Sequence, residues 1–158
     1  MLTATHTVTV NAAFLQEIKD DDEQLRTLLE QTRQVCKSLS YLDIPASRFA
    51  SLLTESRDRL AMHFALEEAY GYFDDPVSVA PHLSERADAL RNQHDELYEE
   101  IATLAESAQD TSHRNGDPRA ILHLARCFLN FYDRLQTHEE DENELIMQAY
   151  TVDIGGSG

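Results

Sequence analysis

Three histidines and three carboxylates stand where a helical core would carry leucine. Along four long stretches apolar residues recur at alternating spacings of three and four, and continuing that alternation lands on Asp22, His63, Glu67, His94, His138 and Glu142. An imidazole or carboxylate buried without a partner is costly, so six such positions demand a common explanation. His63–Glu67 and His138–Glu142 are i,i+4 pairs, whose side chains leave one helix face a turn apart, the reach needed to serve adjacent metal ions. Asp22 precedes His63 by 41 residues and His94 precedes His138 by 44, so the chain reads as two copies of a single ligand followed by His-x-x-x-Glu. Three imidazoles and three carboxylates suit a pair of first-row transition ions, the carboxylates offsetting cationic charge. Magnesium or calcium would take more oxygen, and structural zinc would take four ligands, often thiolates. Iron is the ion to which this set points. The ferritin-like pattern, Glu-x-x-His at i,i+3, is a different spacing.

Four helices must carry these residues. The first stripe is Leu15, Ile18, Leu25, Leu29, Thr32, Cys36 and Leu39, opening near Asn11 as N-cap and ending at Leu39 or Ser40. The second starts near Pro45 and Ser47, carries Phe49, Leu52, Leu53, Ser56, Leu60, Phe64 and Tyr70, and ends near Phe73. A loop with Asp74, Asp75, Pro76 and Pro81 precedes the third stripe, Leu83, Ala87, Leu90, Leu97, Ile101 and Leu104. Asp110 to Pro118 reads as a loop closed by Asp117 as N-cap and Pro118 at N1. The fourth stripe follows: Ile121, Leu124, Phe128, Phe131, Leu135, Leu145 and Ala149. Short connections make neighbours antiparallel, so the expected fold is all-α, an up-down-up-down four-helix bundle over residues 11–150. Residues 1–10 and 151–158 are expected to be flexible ends. At about 1.5 Å per residue, all six polar seam positions fall roughly 10 to 18 Å from one end of the bundle, a single layer.

Composition excludes several other classes of function. With 29 acidic residues against 13 Lys and Arg the formal charge is −16, which repels nucleic acid and anionic membrane surfaces. Leu and Ala total 37 where Val and Ile total 12, a mix that favours helix over sheet. Met1 to Val10 lacks the basic and apolar regions of a signal peptide, and no run of 18 apolar residues occurs, so a soluble cytoplasmic protein is expected. Cys36 and Cys127 form no metal-binding pair such as CxxC and are expected to be reduced. Glu139, Glu140, Asp141, Asn143 and Glu144 read as an exposed face, and His6, His82, His113 and His123 as surface residues.

In His63-Phe-Ala-Leu-Glu67-Glu68, His94-Asp-Glu-Leu and His138-Glu-Glu-Asp-Glu142 the sequence resembles the hemerythrin-like (HHE cation-binding) family, over about residues 12–150. The resemblance implies an oxo- or hydroxo-bridged non-haem di-iron centre of two iron ions inside the bundle. Its small ligands would be dioxygen, peroxide or nitric oxide. Carried over, Glu67 and Glu142 would bridge the ions, His63 would bind one, and His94 with His138 the other. Where the family's first helix usually offers histidine, this chain has Asp20-Asp21-Asp22-Glu23. Asp22 aligns best, because Asp22/Leu25/Leu29 reproduces His94/Leu97/Ile101, and Asp21 is the fallback. Oxygen carriers also have a second histidine one turn after the third-helix ligand, a place filled here by Tyr98, as ligand, hydrogen-bonding group or plain seam residue. Glu68 points about 100° away from Glu67, as solvated charge or outer partner. Carboxylate for imidazole favours the ferric state, so redox reaction with a small oxidant, or iron binding itself, is expected over reversible oxygen carriage. Peroxide- or oxygen-reactive enzyme and iron- or oxygen-responsive sensor both stay open.

Overall fold

A computed structural model of the protein describes the backbone of residues 2–38, 44–69 and 74–157, and the side chains of 20–38, 44–69, 76–78 and 80–151. The described residues are all-α, with no strand among them. Four long helices, α1 (Leu2–Ser38), α2 (Ala46–Ala69), α4 (Ser84–Arg114) and α5 (Pro118–Ser157), are joined by a short α3 (Asp74–Val79) and a 3₁₀ turn at Pro81–Leu83. Helix α1 packs on α2 and α5, and α4 packs on the same two, so contacts run in a closed ring around one core. None of the helices is long and apolar enough to cross a membrane among the described residues.

The expected stripes are the buried faces. Leu25, Leu29 and Cys36 of α1 meet Phe49, Leu53 and Leu60 of α2, Ile101 and Leu104 of α4, and Phe128, Phe131 and Leu135 of α5 in one apolar cluster. A smaller cluster of Ala87, Leu90 and Leu145 lies apart from it. The buried face of α5 passes from Leu135 to His138, Glu142 and Leu145, so the polar residues interrupt a continuous apolar seam. Two small hydroxyls also lie on the seams, Thr32 and Ser56, with their oxygens 3.4 Å apart between α1 and α2. Each donates to the carbonyl four residues earlier, Leu28 and Leu52, at 2.8 Å, which satisfies it without a partner from solvent.

Four boundaries differ from expectation. Residues Asp110 to Arg114 belong to α4 instead of the loop, because Ala105 and Ala108 continue its buried face and Thr111 bonds back to Ser107. The turn is thereby only Asn115 to Asp117, and Gly116 takes the left-handed conformation at φ 61° while donating to the Thr111 carbonyl. Asp74 to Val79 forms a helical turn inside the expected loop, with Ala80 donating back to the Pro76 carbonyl. Helix α1 begins at Leu2 rather than Asn11 and α5 continues to Ser157, since adding a residue to an existing helix end gains a hydrogen bond without a new nucleus. The side chains of Leu15 and Ile18, and residues Leu39, Ser40, Tyr70 and Phe73, lie outside the described residues.

Candidate metal centre

An unbroken series of contacts joins all six polar seam positions. His63 Nδ1 lies 2.9 Å from Asp22 Oδ1, and its Nε2 lies 3.5 Å from Glu67 Oε1. His94 Nε2 lies 3.5 Å from the same Glu67 oxygen and 3.3 Å from Glu142 Oε2. His138 Nε2 completes the set at 3.3 Å from Glu142 Oε2. His63, Glu67, His94, His138 and Glu142 are each 4% exposed or less. Glu67, His94, His138 and Glu142 alone offer four donor atoms that all lie within 4.8 Å of one another.

The two edges of the imidazoles face different surroundings. All three Nε2 atoms point inward to the Glu67–Glu142 pair, while on the outer edge His138 Nδ1 donates to Gln93 Oε1 at 2.7 Å and His63 Nδ1 to Asp21 Oδ2 at 3.1 Å. Glu68 Oε2 stands 3.8 Å from His94 Nδ1. An outer acceptor on one nitrogen fixes the ring and its tautomer and leaves the other nitrogen as a lone-pair donor, the usual arrangement behind a metal-bound histidine. Phe64 stacks on His94 with centroids 3.9 Å apart and planes 7° from parallel, and meets His138 edge-on at 5.7 Å. That aromatic wall restricts water.

The inward carboxylates are short of partners. Both oxygens of Glu67, Oε1 of Glu142 and Nε2 of His138 are buried without a hydrogen bond. Burial, reinforced by the charge of Glu142, pushes the Glu67 carboxyl up to about 11, so it holds a proton. Burial acts on Glu142 in the same direction, but the imidazoles of His138 and His94 beside it overcome it and hold that carboxyl down near 2. Burial would lower His63, yet hydrogen bonds to Asp22 and Glu139, reinforced by the charge of Glu139, raise it to about 12. Two adjacent buried carboxyls, with imidazole lone-pair positions turned on them, form a donor set for divalent or trivalent cations. The residues present fit a metal ion on this chemistry.

Several positions depart from expectation. Asp21 is the buried aspartate, while the Asp22 side chain is 31% exposed, and both reach His63 at Nδ1, on the edge turned away from Glu67. Glu139, expected on the exposed face, lies with Oε1 3.1 Å from His63 Nε2. Tyr98 is 39% exposed. His82, His113 and His123 are exposed as expected, and Phe128 and Phe131 are core residues. Gln93 and Glu139 were the residues that periodicity missed. Each directly follows or precedes a seam histidine in sequence, which is the one signal that could have found them. Comparison of the chain with protein-family models, with curated proteins and with solved structures finds no match in any of the three.

Proposed function

We propose that this chain is a hemerythrin-like non-haem di-iron protein that binds or reacts with a small oxidant, dioxygen, peroxide or nitric oxide, at a carboxylate-bridged centre. The observation that carries the reading is the convergence of three Nε2 atoms on a buried Glu67–Glu142 pair whose oxygens lack partners. In this reading α1, α2, α4 and α5 form an up-down-up-down four-helix bundle, and the closed ring of helix contacts supports it. His63, Glu67, His94, His138 and Glu142 hold the ions. A bound iron pair would supply electrons and open coordination positions to a small oxidant.

The chain's own residues do the rest. Gln93 and Asp21 fix the outer edges of His138 and His63, so the rings present Nε2 without rotational search. Phe64 and the burial of the donor atoms keep bulk water away. Glu67 holds a proton while the site is metal-free, and Asp22 lies at the rim of a cleft that leads to His63. The two free cysteines fit a reducing cytoplasm.

Metal analysis and the visible spectrum of aerobically purified protein test the reading. We expect iron, and the oxo-to-iron charge-transfer absorption of a diferric pair. Protein that takes up no iron and gains no such bands on loading would sink the proposal. The unpartnered carboxylates favour a second reading, in which metal occupancy itself changes stability and a partner senses that change. Stopped-flow mixing of the reduced protein with peroxide separates them: many cycles of consumption indicate an enzyme, a single oxidation a sensor.

A further inference from the structure

The inner donor set is unequal on its two sides. On the α4–α5 side, His94 and His138 share Glu67 and Glu142, all four at most 4% exposed. On the α1–α2 side the described residues offer one imidazole, His63, and its inward nitrogen meets Glu67 at 3.5 Å and Glu139 at 3.1 Å. These three offer donor atoms within 4.8 Å of one another. The aspartates of α1 do not complete that group, because they stand at Nδ1, across the ring. Glu67, with a 1% exposed side chain and neither oxygen hydrogen-bonded, is the buried unsatisfied group aimed into it. The Glu139 side chain is 32% exposed and lies in a cleft of about 330 Å³ between α1 and α5, walled by Leu25, Leu29 and Tyr132.

Resting on the two-ion reading above, we propose that Glu139 is a metal ligand of the His63 position, and that this position exchanges its ion with solvent faster than the buried His94–His138 position. One imidazole with two carboxylates is an oxygen-rich set, and a ligand reachable from a cleft can swing away without unpacking the core. The two-imidazole position has no such route through its own carboxylates, both sealed at 2% exposure or less. Each ion therefore meets a different environment.

The experiment loads full-length protein anaerobically with ferrous ion, removes the excess by desalting, counts the ions kept and follows their loss to a chromogenic chelator. Wild type is expected to keep two ions per chain and release them in a fast and a slow phase. Glu139→Gln preserves shape and a polar contact to His63, and its fold is checked by far-ultraviolet circular dichroism. It should keep about one ion, retain the slow phase, and bind the second at least about tenfold more weakly. Asp22→Asn should keep both ions. Glu140→Gln, which removes the same charge from the exposed neighbour, should behave as wild type.

Four results would overturn the proposal. Glu139→Gln could keep both ions with wild-type release. Asp22→Asn could lose an ion that Glu139→Gln keeps, which would put the ligand on α1. Glu140→Gln could match Glu139→Gln, making the effect one of charge alone. Wild type could release both ions in one phase. A wild type that keeps no ions at all refutes the two-ion reading itself and is told apart by the count before any variant is compared.

Discussion

At the scale of single residues, the buried His/Glu cluster is held together by protons. His63 is pushed up to about 12 and Glu67 to about 11, so both carry a proton at neutral pH, whereas Glu142 near 2 is ionised. A metal ion needs the deprotonated form of each ligand. Loading at neutral pH should therefore release roughly two protons per chain, and affinity should rise with pH throughout the range below those values. Titration with ferrous ion in weakly buffered solution containing a pH indicator measures this, and an affinity independent of pH between about 6 and 8 would contradict it. A second expectation concerns the thiols. Burial pushes Cys36 up to about 12, while Cys127 is partly exposed beside His123, so a thiol reagent should label one cysteine in native protein and two after unfolding. Residue chemistry was legible where it interrupted an apolar stripe, as at His63 and Glu142. It was not legible at Glu139, whose position beside His138 places it off the seam in periodicity and whose contact depends on how far α5 turns toward α2. The choice between Asp21 and Asp22 was open for a related reason: Leu25 is reached by a step of four from one and three from the other, and both steps keep a helix face.

At the scale of elements, each helix lends its neighbour's histidine a fixed orientation. Gln93 on α4 accepts from His138 on α5, so Gln93→Ala should lower metal affinity by about tenfold to a hundredfold while leaving helix content unchanged. Equilibrium metal titration with circular dichroism checks both halves. The α4–α5 turn depends on a single left-handed residue. Gly116→Ala places a side chain at φ 61°, with its Cβ 3.5 Å from Ala46 Cβ, so the cost is backbone strain instead of collision. Thermal or urea unfolding should show a loss of about 1–2 kcal/mol. The four long helices were legible because apolar periodicity persists over many turns. Their ends were less so, since Asp110 and Thr111 are common loop residues that helix α4 nonetheless accommodates by keeping Ala105 and Ala108 buried. The helical turn at Asp74–Val79 has too few residues for any period to declare itself.

At the scale of the whole molecule, a charge of −16 opposes compaction, and buried carboxylates concentrate part of it inside. Metal-free protein should gain stability from added salt, which screens the surface share. Ion at about a hundred times its dissociation constant stabilises the fold by about 2.7 kcal/mol per site. For a chain of this size that is a rise of roughly 5–10 °C in Tm. Calorimetry with and without a chelator measures it, and equal Tm values would argue that the centre is not linked to folding. The overall acidity was plain from composition and its interior share from the seams at Glu67 and Glu142, but that Asp21 belongs to that share needed the packing of α1 against α2. The hydroxyl pair between α1 and α2 has a consequence at this scale. Thr32 sits about 16 Å along α1 from Asp21, by the rise of the helix. A slip of one turn, about 5.4 Å, would leave Thr32 and Ser56 facing apolar side chains and draw Asp21 off His63 in the same movement. The pair thus acts as a ruler: a contact with no chemistry of its own sets the length at which the first helix meets the centre.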